Sequence, residues 1–274
     1  MTPQPEPTAT AERHYTTGLT RESIDRALRE AGKDPQQLSP VDLAPLEDFH
    51  SLGRLATLEL IHLAEVGAQD RVLDAGTGIG GAARLLAAEV GCRVIGVDLT
   101  AEYCETAEWL NAAVGLGSGI EIRRADVTEL PFADGAFDVV ISQHVQMNVA
   151  DKSRLYAEAR RVLDPGGRLA LWDVTAGPVE PIRFPVPWAT DPADSHLITP
   201  AALREVTTRA GFEVTAWNDL TGTAAEAMRA FFDAPANPLG LHVFVPDFAT
   251  KAANLIANAE QDRVRLIQAV LIAK

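Results

Sequence analysis

Cysteine and positive charge are scarce in this chain of 274 residues. Its 2 cysteines, Cys92 and Cys104, are too few for a disulfide framework and lack metal-site spacing, so they read as small buried side chains and no metal is expected. Lysine and arginine total 24 against 38 acidic residues, a net charge of −14, and no basic run forms a local groove. That balance argues against a nucleic-acid partner, whose phosphates need such a groove. No apolar run approaches bilayer length, and no basic-then-apolar leader opens the sequence. The expectation is a cytoplasmic protein with no membrane partner. Internal repeats are absent too, and residues 1–13, rich in Pro and Thr, read as a disordered tail. Nothing in the pattern signals an oligomeric state.

What is present is apolar residue content of 47%, ample for a packed core. A helix is predicted over 20–31, with Thr20 as its N-cap and Gly32 at its end. Leu55, Leu58, Ile61 and Leu63 carry helical spacing through 46–66. Strands and helices then alternate: strands over 71–75, 93–98, 120–125, 137–143 and 168–174, with helices over 82–90, 101–115 and 152–163. Asp164-Pro165-Gly166-Gly167 reads as a turn of breaker residues. A helix over 200–210 and strands over 212–217 and 263–273 complete the pattern. Such alternation implies an α/β fold, a parallel sheet covered on both faces by helices, with ligands at the strands' carboxyl ends. Residues 14–66 read as an N-terminal helical lid and 67–274 as the main domain. Within it, 219–262 is a long insertion with helices over 224–233 and 248–260, either a substrate cover or a structural extension.

Four stretches carry chemistry. Val72 to Gly81 reads as a strand, a glycine turn and a helix start, a shape that aims free N–H groups at a ligand. Gly76, Gly78 and Gly81 also satisfy the dinucleotide pattern G-x-G-x-x-G. Asp74, two residues before the first glycine, discriminates. A pyrophosphate would be repelled by it, whereas a ligand bearing an ammonium would be held. S-adenosylmethionine (SAM) has an ammonium, a carboxylate and a sulfonium, and no phosphate. Second, Val94 to Asp98 is an apolar strand delivering a carboxylate about 20 positions after the glycine turn, where two ribose hydroxyls would lie. Third come Asp126-Val127, Leu130-Pro131-Phe132 and Phe137-Asp138. Fourth, Ser142-Gln143-His144-Val145-Gln146-Met147-Asn148 follows a strand and offers polar groups to a reacting molecule. His144 either orients an acceptor, removes a proton from it, or simply hydrogen-bonds within its loop.

Asp74-x-Gly76-x-Gly78-x-Gly80 resembles the D/E-x-G-x-G-x-G turn of class I SAM-dependent methyltransferases, and the later stretches match that family in order over 71–174. The resemblance implies a Rossmann-like seven-stranded sheet of order 3-2-1-4-5-7-6 with the last strand antiparallel. It assigns Asp74, Gly76, Thr77, Gly78, Gly80 and Gln143 to the cofactor SAM, Asp98 to its ribose, Leu99 to packing on adenine, and Asp126 and Val127 to the adenine edge. Asp138 reads as a structural cap. Asp48-Phe49-His50-Ser51-Leu52-Gly53-Arg54 resembles the F-H-x-x-G-R segment of sarcosine/dimethylglycine methyltransferase-like proteins, which places His50 and Ser51 near the cofactor carboxylate. Tyr15 falls in a segment that closes over the site in such proteins, and is a catalytic candidate with His144.

The family's nucleic-acid and protein-amide members carry N/D-P-P-Y/F after the fourth strand. This chain does not, which points to a small-molecule acceptor. Asn148, Arg183, Trp188 and His196 are the substrate-binding candidates. The first expectation is N-methylation of a small amine or amino acid, and the second O- or C-methylation of a quinone or natural product. Two other classes stand beside these: an NAD-dependent oxidoreductase, which Asp74 opposes, and a non-catalytic SAM-binding module.

Overall fold

The computed structural model describes residues 12–47, 50–234 and 237–274. Before the first strand lie α1 (Thr20–Glu30), α2 (Pro40–Glu47) and α3 (Arg54–Leu63). The alternating part runs β1 (Arg71–Ala75), α4 (Gly81–Leu85), β2 (Arg93–Asp98), α5 (Ala101–Ala113), β3 (Ile120–Arg124), β4 (Phe137–Gln143), α6 (Lys152–Val162) and β5 (Leu163–Ala176). It finishes with α7 (Pro200–Arg209), β6 (Phe212–Asp219), α8 (Thr221–Asp233), α9 (Phe248–Glu260) and β7 (Val264–Ala273).

All seven strands form one sheet, ordered β3-β2-β1-β4-β5-β7-β6. The first five pair in parallel, and β7 runs antiparallel between β5 and β6. The expected topology is therefore the observed one. Its cause is visible in β1 and β4, which are buried on both faces and so read as continuous apolar runs. One side of the sheet packs on α3, α8 and α9 through Leu60, Trp172, Ala225 and Leu255. The other packs on α6 and α7 through Leu155, Tyr156 and Leu203. A third cluster joins Ile24, Leu28, Leu43 and Leu46 of α1 and α2 to Tyr103 and Leu110 of α5 and to Leu239, Phe244 and Val245 of the insertion. The N-terminal helices and the insertion thus meet at the carboxyl edge of β1 and β2.

Three local expectations are corrected. The helical spacing over 46–66 is broken: α2 ends at Glu47, and α3 restarts only after Leu52 and Gly53, both at positive φ (68° and 53°). Asp48 and Phe49 of the F-H-x-x-G-R match lie outside the described residues, as does most of the expected disordered tail. On α3, Ile61 is buried, but Leu55 is 69% exposed and Leu58 37%, so half of that apolar series faces outward. The breaker run 164–167 is not a separate turn. β5 begins at Leu163, paired with Phe137, and resumes with Arg168 opposite Val139, so these residues are a bulge inside one long strand. Finally, Thr20 is not the N-cap of α1: Leu19 occupies that position, and no side chain from α1 itself caps the helix.

Candidate active site

The parallel register brings four loop starts together. Asp74 lies opposite Gly96 and Ile141, and Asp98 lies opposite Arg124. The residues just beyond β1, β2, β3 and β4 therefore share one edge, and a cavity of about 500 Å³ opens there. Tyr15, His50, Asp74, Gly76, Thr77, Gly78, Asp98, Leu99, Asp126, Val127, Gln143, His144, Asn148 and Trp188 all line it.

The glycine turn is fixed from β2. The N–H groups of Gly76 and Thr77 both donate to the Val97 carbonyl at 2.9 Å. Gly76 (φ 84°) is required by close packing, since a Cβ there would meet Val145 Cγ2 at 2.3 Å. Gly78 (φ 55°) differs: a Cβ there would meet nothing within 4 Å. It faces open cavity, the space a ligand backed by this turn would fill. Asp98 anchors the turn, its Oδ2 accepting from the Gly78 N–H and its Oδ1 from the Thr100 N–H, each at 2.9 Å. Burial raises the Asp98 carboxyl, against those donated bonds. Asp74 is 2% exposed and accepts from Thr77 Oγ1 at 2.6 Å. Burial pushes its carboxyl up to about 6, with the Thr77 hydroxyl pulling the other way. An ammonium on a bound ligand would favour the ionised form of this buried carboxylate. Asp126 Oδ1 accepts from the Thr128 N–H and hydroxyl at 2.8 and 2.7 Å.

The wall after β4 is polar and enclosed. His144 has φ 53°, a left-handed conformation that costs free energy for a residue with a Cβ. Its N–H donates to the Trp172 carbonyl at 2.7 Å, so the adjacent strand β5 holds it there. Its Nε2 is enclosed without a hydrogen-bond partner. Burial, then the nearby His50, lowers its basicity well below the usual imidazole range. His50 is pushed down to about 4 by burial. Gln143 Nε2 donates to His50 Nε2 (3.1 Å) and to Thr57 Oγ1 (3.2 Å), while Gln143 Oε1 is enclosed with no partner. The Gln146–Asn148 turn is tied down by the buried Lys152, whose Nζ donates to the carbonyls of Gln146 (2.5 Å), Val149 and His196 (2.7 Å). Tyr15 crosses to this turn, its hydroxyl donating to Asn148 Oδ1 at 3.1 Å. Burial raises the Tyr15 phenol, so it stays protonated.

Four sequence candidates lie outside the cavity wall. Gly80 (φ 86°) is the N-cap of α4, and its missing Cβ makes room for Arg84 and Ala107. Ser51 is buried behind the wall, its carbonyl accepting from Trp172 Nε1 at 2.9 Å. Arg183 is clamped through its backbone, its N–H and carbonyl both bonded to the Asn258 side chain at 2.9 Å. His196 braces the Gln146–Asn148 turn through its own backbone, with its N–H donating to the Met147 carbonyl at 2.9 Å. Asp138 is structural, as expected: it accepts from the Arg71 backbone and guanidinium. Conversely, Tyr103, Met147, Pro187 and Phe244 line the cavity without having been singled out. Met147 belongs to the polar stretch after β4 and Pro187 directly precedes Trp188, whereas Phe244 reaches the site only because the insertion folds back.

The sequence and fold have recognisable kin. The family description "Methyltransferase domain" matches residues 73–171. A glycine/sarcosine/dimethylglycine N-methyltransferase of Actinopolyspora halophila is 34% identical over 132 residues, 48% of this chain and 23% of the relative. A sarcosine/dimethylglycine N-methyltransferase of Halorhodospira halochloris is 32% identical over 163 residues, 57% of this chain and 56% of the relative. The chain thus spans about half or less of these relatives' length. In fold, geranyl diphosphate C-methyltransferase from Streptomyces coelicolor A3(2) superposes with a TM-score of 0.73 over 100% of both chains, at 18% identity. Sheet order and glycine turn agree with this likeness: the chain has the fold of these methyltransferases, and its residues 73–171 match a methyltransferase domain.

Proposed function

We propose that this protein transfers the methyl group of SAM to a small molecule bound in the cavity. One observation carries the reading: three carboxylates, Asp74 and Asp98 at the carboxyl ends of β1 and β2 and Asp126 just past β3, converge on a cavity whose remaining side presents His144. The fit to SAM rests on the open space at Gly78, the buried Asp74 and the orphaned Gln143 Oε1. When bound, SAM supplies a methyl group already activated on a sulfonium. Asp74 and Gln143 Oε1 would hold its ammonium, Asp98 its ribose hydroxyls, and Asp126 with the Val127 N–H its adenine edge. The Tyr15–Asn148 bond and the packing of α1, α2 and Phe244 support a lid and cover that exclude water.

Most of the remaining work is positioning, because an in-line approach to an activated methyl needs little further chemistry. The kinship to amine methyltransferases supports nitrogen as the acceptor atom. The structural observation favouring oxygen is His144, uncharged and enclosed at one edge, held in a costly backbone conformation beside the cavity. A neutral amine needs no base, whereas a hydroxyl does.

Calorimetry with SAM, S-adenosylhomocysteine (SAH) and NAD tests the assignment, followed by methyl transfer from labelled SAM to a panel of amines, phenols and alcohols. Tight SAM and SAH binding with no NAD binding is expected. NAD binding without SAM binding would overturn it, and SAM binding without transfer to any acceptor would leave a binding module.

A further inference from the structure

We infer that the methyl acceptor is an uncharged, largely apolar alcohol or phenol, because the acceptor side of the cavity sets the neutral polar groups after β4 among apolar side chains and, among the described residues, carries no cation to meet a carboxylate or phosphate. This rests on assigning the cavity to methyl transfer. The acceptor side is the part beyond the glycine turn and the adenine edge, where the loop after β4, the lid and the segment before α7 meet. Tyr15, Met147, Pro187, Trp188 and Phe244 supply its apolar surface. The indole N–H of Trp188 is spent on Ser195 Oγ at 2.9 Å, so Trp188 contributes surface rather than a donor.

The charge census is one-sided. Arg154 is the sole lysine or arginine among the described lining residues, and it belongs to the adenine edge. Its Nε donates to the Thr128 carbonyl at 2.7 Å, two residues beyond Asp126, and its guanidinium pairs with Glu129. Residues 1–11, 48–49 and 235–236 contain no lysine or arginine at all. Nearby cations are already engaged or set back. Arg84 is locked to Glu47, Asn111 and the Ile79 carbonyl. The Lys152 ammonium is taken by three carbonyls. Arg183 and Lys251 do not reach the wall. The histidines do not substitute, since burial lowers both His50 and His144.

An anionic acceptor would therefore lose its hydration in a cavity that also holds Asp74, Asp98 and Asp126, and the protein would offer it only neutral donors such as the Asn148 amide in return. A hydroxyl suits what is there. Its oxygen bonds to the methyl carbon as the carbon–sulfur bond breaks and that electron pair stays on sulfur. The hydroxyl proton passes to His144, from which it returns to water after release.

Matched probe pairs differing in one carboxylate test this: 4-hydroxybenzoate against its methyl ester, and 6-hydroxy-2-naphthoate against its methyl ester. Each is titrated calorimetrically into SAH-loaded protein near neutral pH, and methyl transfer is measured beside it. The esters are expected to bind about tenfold or more tightly than the acids. Pro187→Lys, which puts an ammonium on the half-buried wall, is expected to narrow that preference at least about threefold. Equal or tighter binding of the acids, turnover of sarcosine or phosphoethanolamine, or failure of both esters to bind SAH-loaded protein would overturn the inference. Acid binding that disappears in Lys251→Met would also overturn it, and would identify the cation responsible. Failure of the protein to load with SAH is a different result, and it sinks the methyltransferase reading itself.

Discussion

The Asp98 carboxylate accepts from the Gly78 N–H at 2.9 Å, across the gap between β2 and the glycine turn. Its other oxygen accepts from the Thr100 N–H, at the start of α5. One side chain thus sets the shape of the turn and stands where ribose hydroxyls are expected. Asp98→Ala should weaken SAM binding by about 1.5–3 kcal/mol, roughly 10- to 150-fold, for hydrogen bonds to a charged acceptor. Calorimetry on a variant with an unchanged far-UV spectrum measures it. Undiminished affinity would remove Asp98 from the cofactor site.

The turn's glycines should separate by readout. Gly78→Val places a branched side chain in open cavity at positive φ, so SAM binding should be lost while the protein still folds, at a cost of about 1–2 kcal/mol for the backbone. Gly76→Ala drives a Cβ into Val145, so its chief effect should be a lowered Tm. Thermal melts with and without SAM distinguish the two. A Gly78→Val protein that binds SAM at wild-type strength would show that the turn is not the cradle.

Asp74 gives the site a pH dependence. Its carboxyl is raised to about 6 in the folded protein, above the ordinary value of 3.8, so the native state holds its proton longer than the unfolded chain does. In the free protein this group's contribution therefore lowers stability as pH rises from about 4 to about 6. An ammonium beside it favours the ionised form, so SAM affinity should increase as pH rises through about 6 and then level off. Asp74→Asn should flatten that profile and weaken binding at neutral pH. A wild-type affinity that is level between about pH 5 and 7 would count against the ammonium contact.

The N-terminal segment is held by a residue no local pattern reveals. Glu102 on α5 accepts from the N–H groups of Thr17 (2.8 Å), Gly18 (2.9 Å) and Thr20 (2.6 Å). Burial alone would raise its carboxyl, but the donated bonds, led by Thr20, outweigh that and hold it at about 2. Its contribution is present above the ordinary glutamate value of 4.5 and is lost as pH falls through about 2. Glu102→Ala should speed amide exchange at residues 17–20, with the Tyr15–Asn148 contact loosening along with them. Unchanged exchange there would mean that the hydrophobic cluster of Ile24 and Leu28 alone docks the segment.

Glu102 also marks where sequence reading stops. The sheet was legible because β1, β2 and β4 are short apolar runs closed by chemistry-bearing residues, and each signal is local. Asp74, Gly78, Asp98 and Asp126 are legible for the same reason. Local pattern points to Thr20 as the cap of α1, the residue with the right side chain in the right place, yet the acceptor comes from 82 positions away. Phe244 is invisible for a related reason, since it reaches the cavity only through the insertion's packing on α1 and α2. Arg183 and His196 erred in the opposite direction. They sit in the right segment, but backbone bonds to Asn258 and Met147 settle how that segment lies.

The sharpest test of the chemistry is His144. It follows β4 directly, lines the cavity, and keeps a left-handed backbone that a loop without a task has little reason to retain. Its ring is uncharged at neutral pH because burial lowers it, so it is already in the form that accepts a proton. If it takes the acceptor's proton during transfer, His144→Ala should cut the single-turnover rate by about 100- to 10,000-fold while SAM affinity stays nearly constant. His144→Gln separates two contributions, since it keeps a hydrogen-bonding group but no basic nitrogen. Recovery to within a few-fold of wild type would assign His144 to orientation, the result expected for an amine that arrives neutral. No recovery, with the deficit shrinking as pH rises and the acceptor hydroxyl ionises on its own, would assign it to proton removal. A wild-type rate in His144→Ala at saturating acceptor would exclude both roles and move attention to Tyr15 and Asn148, the other polar pair at that edge of the cavity.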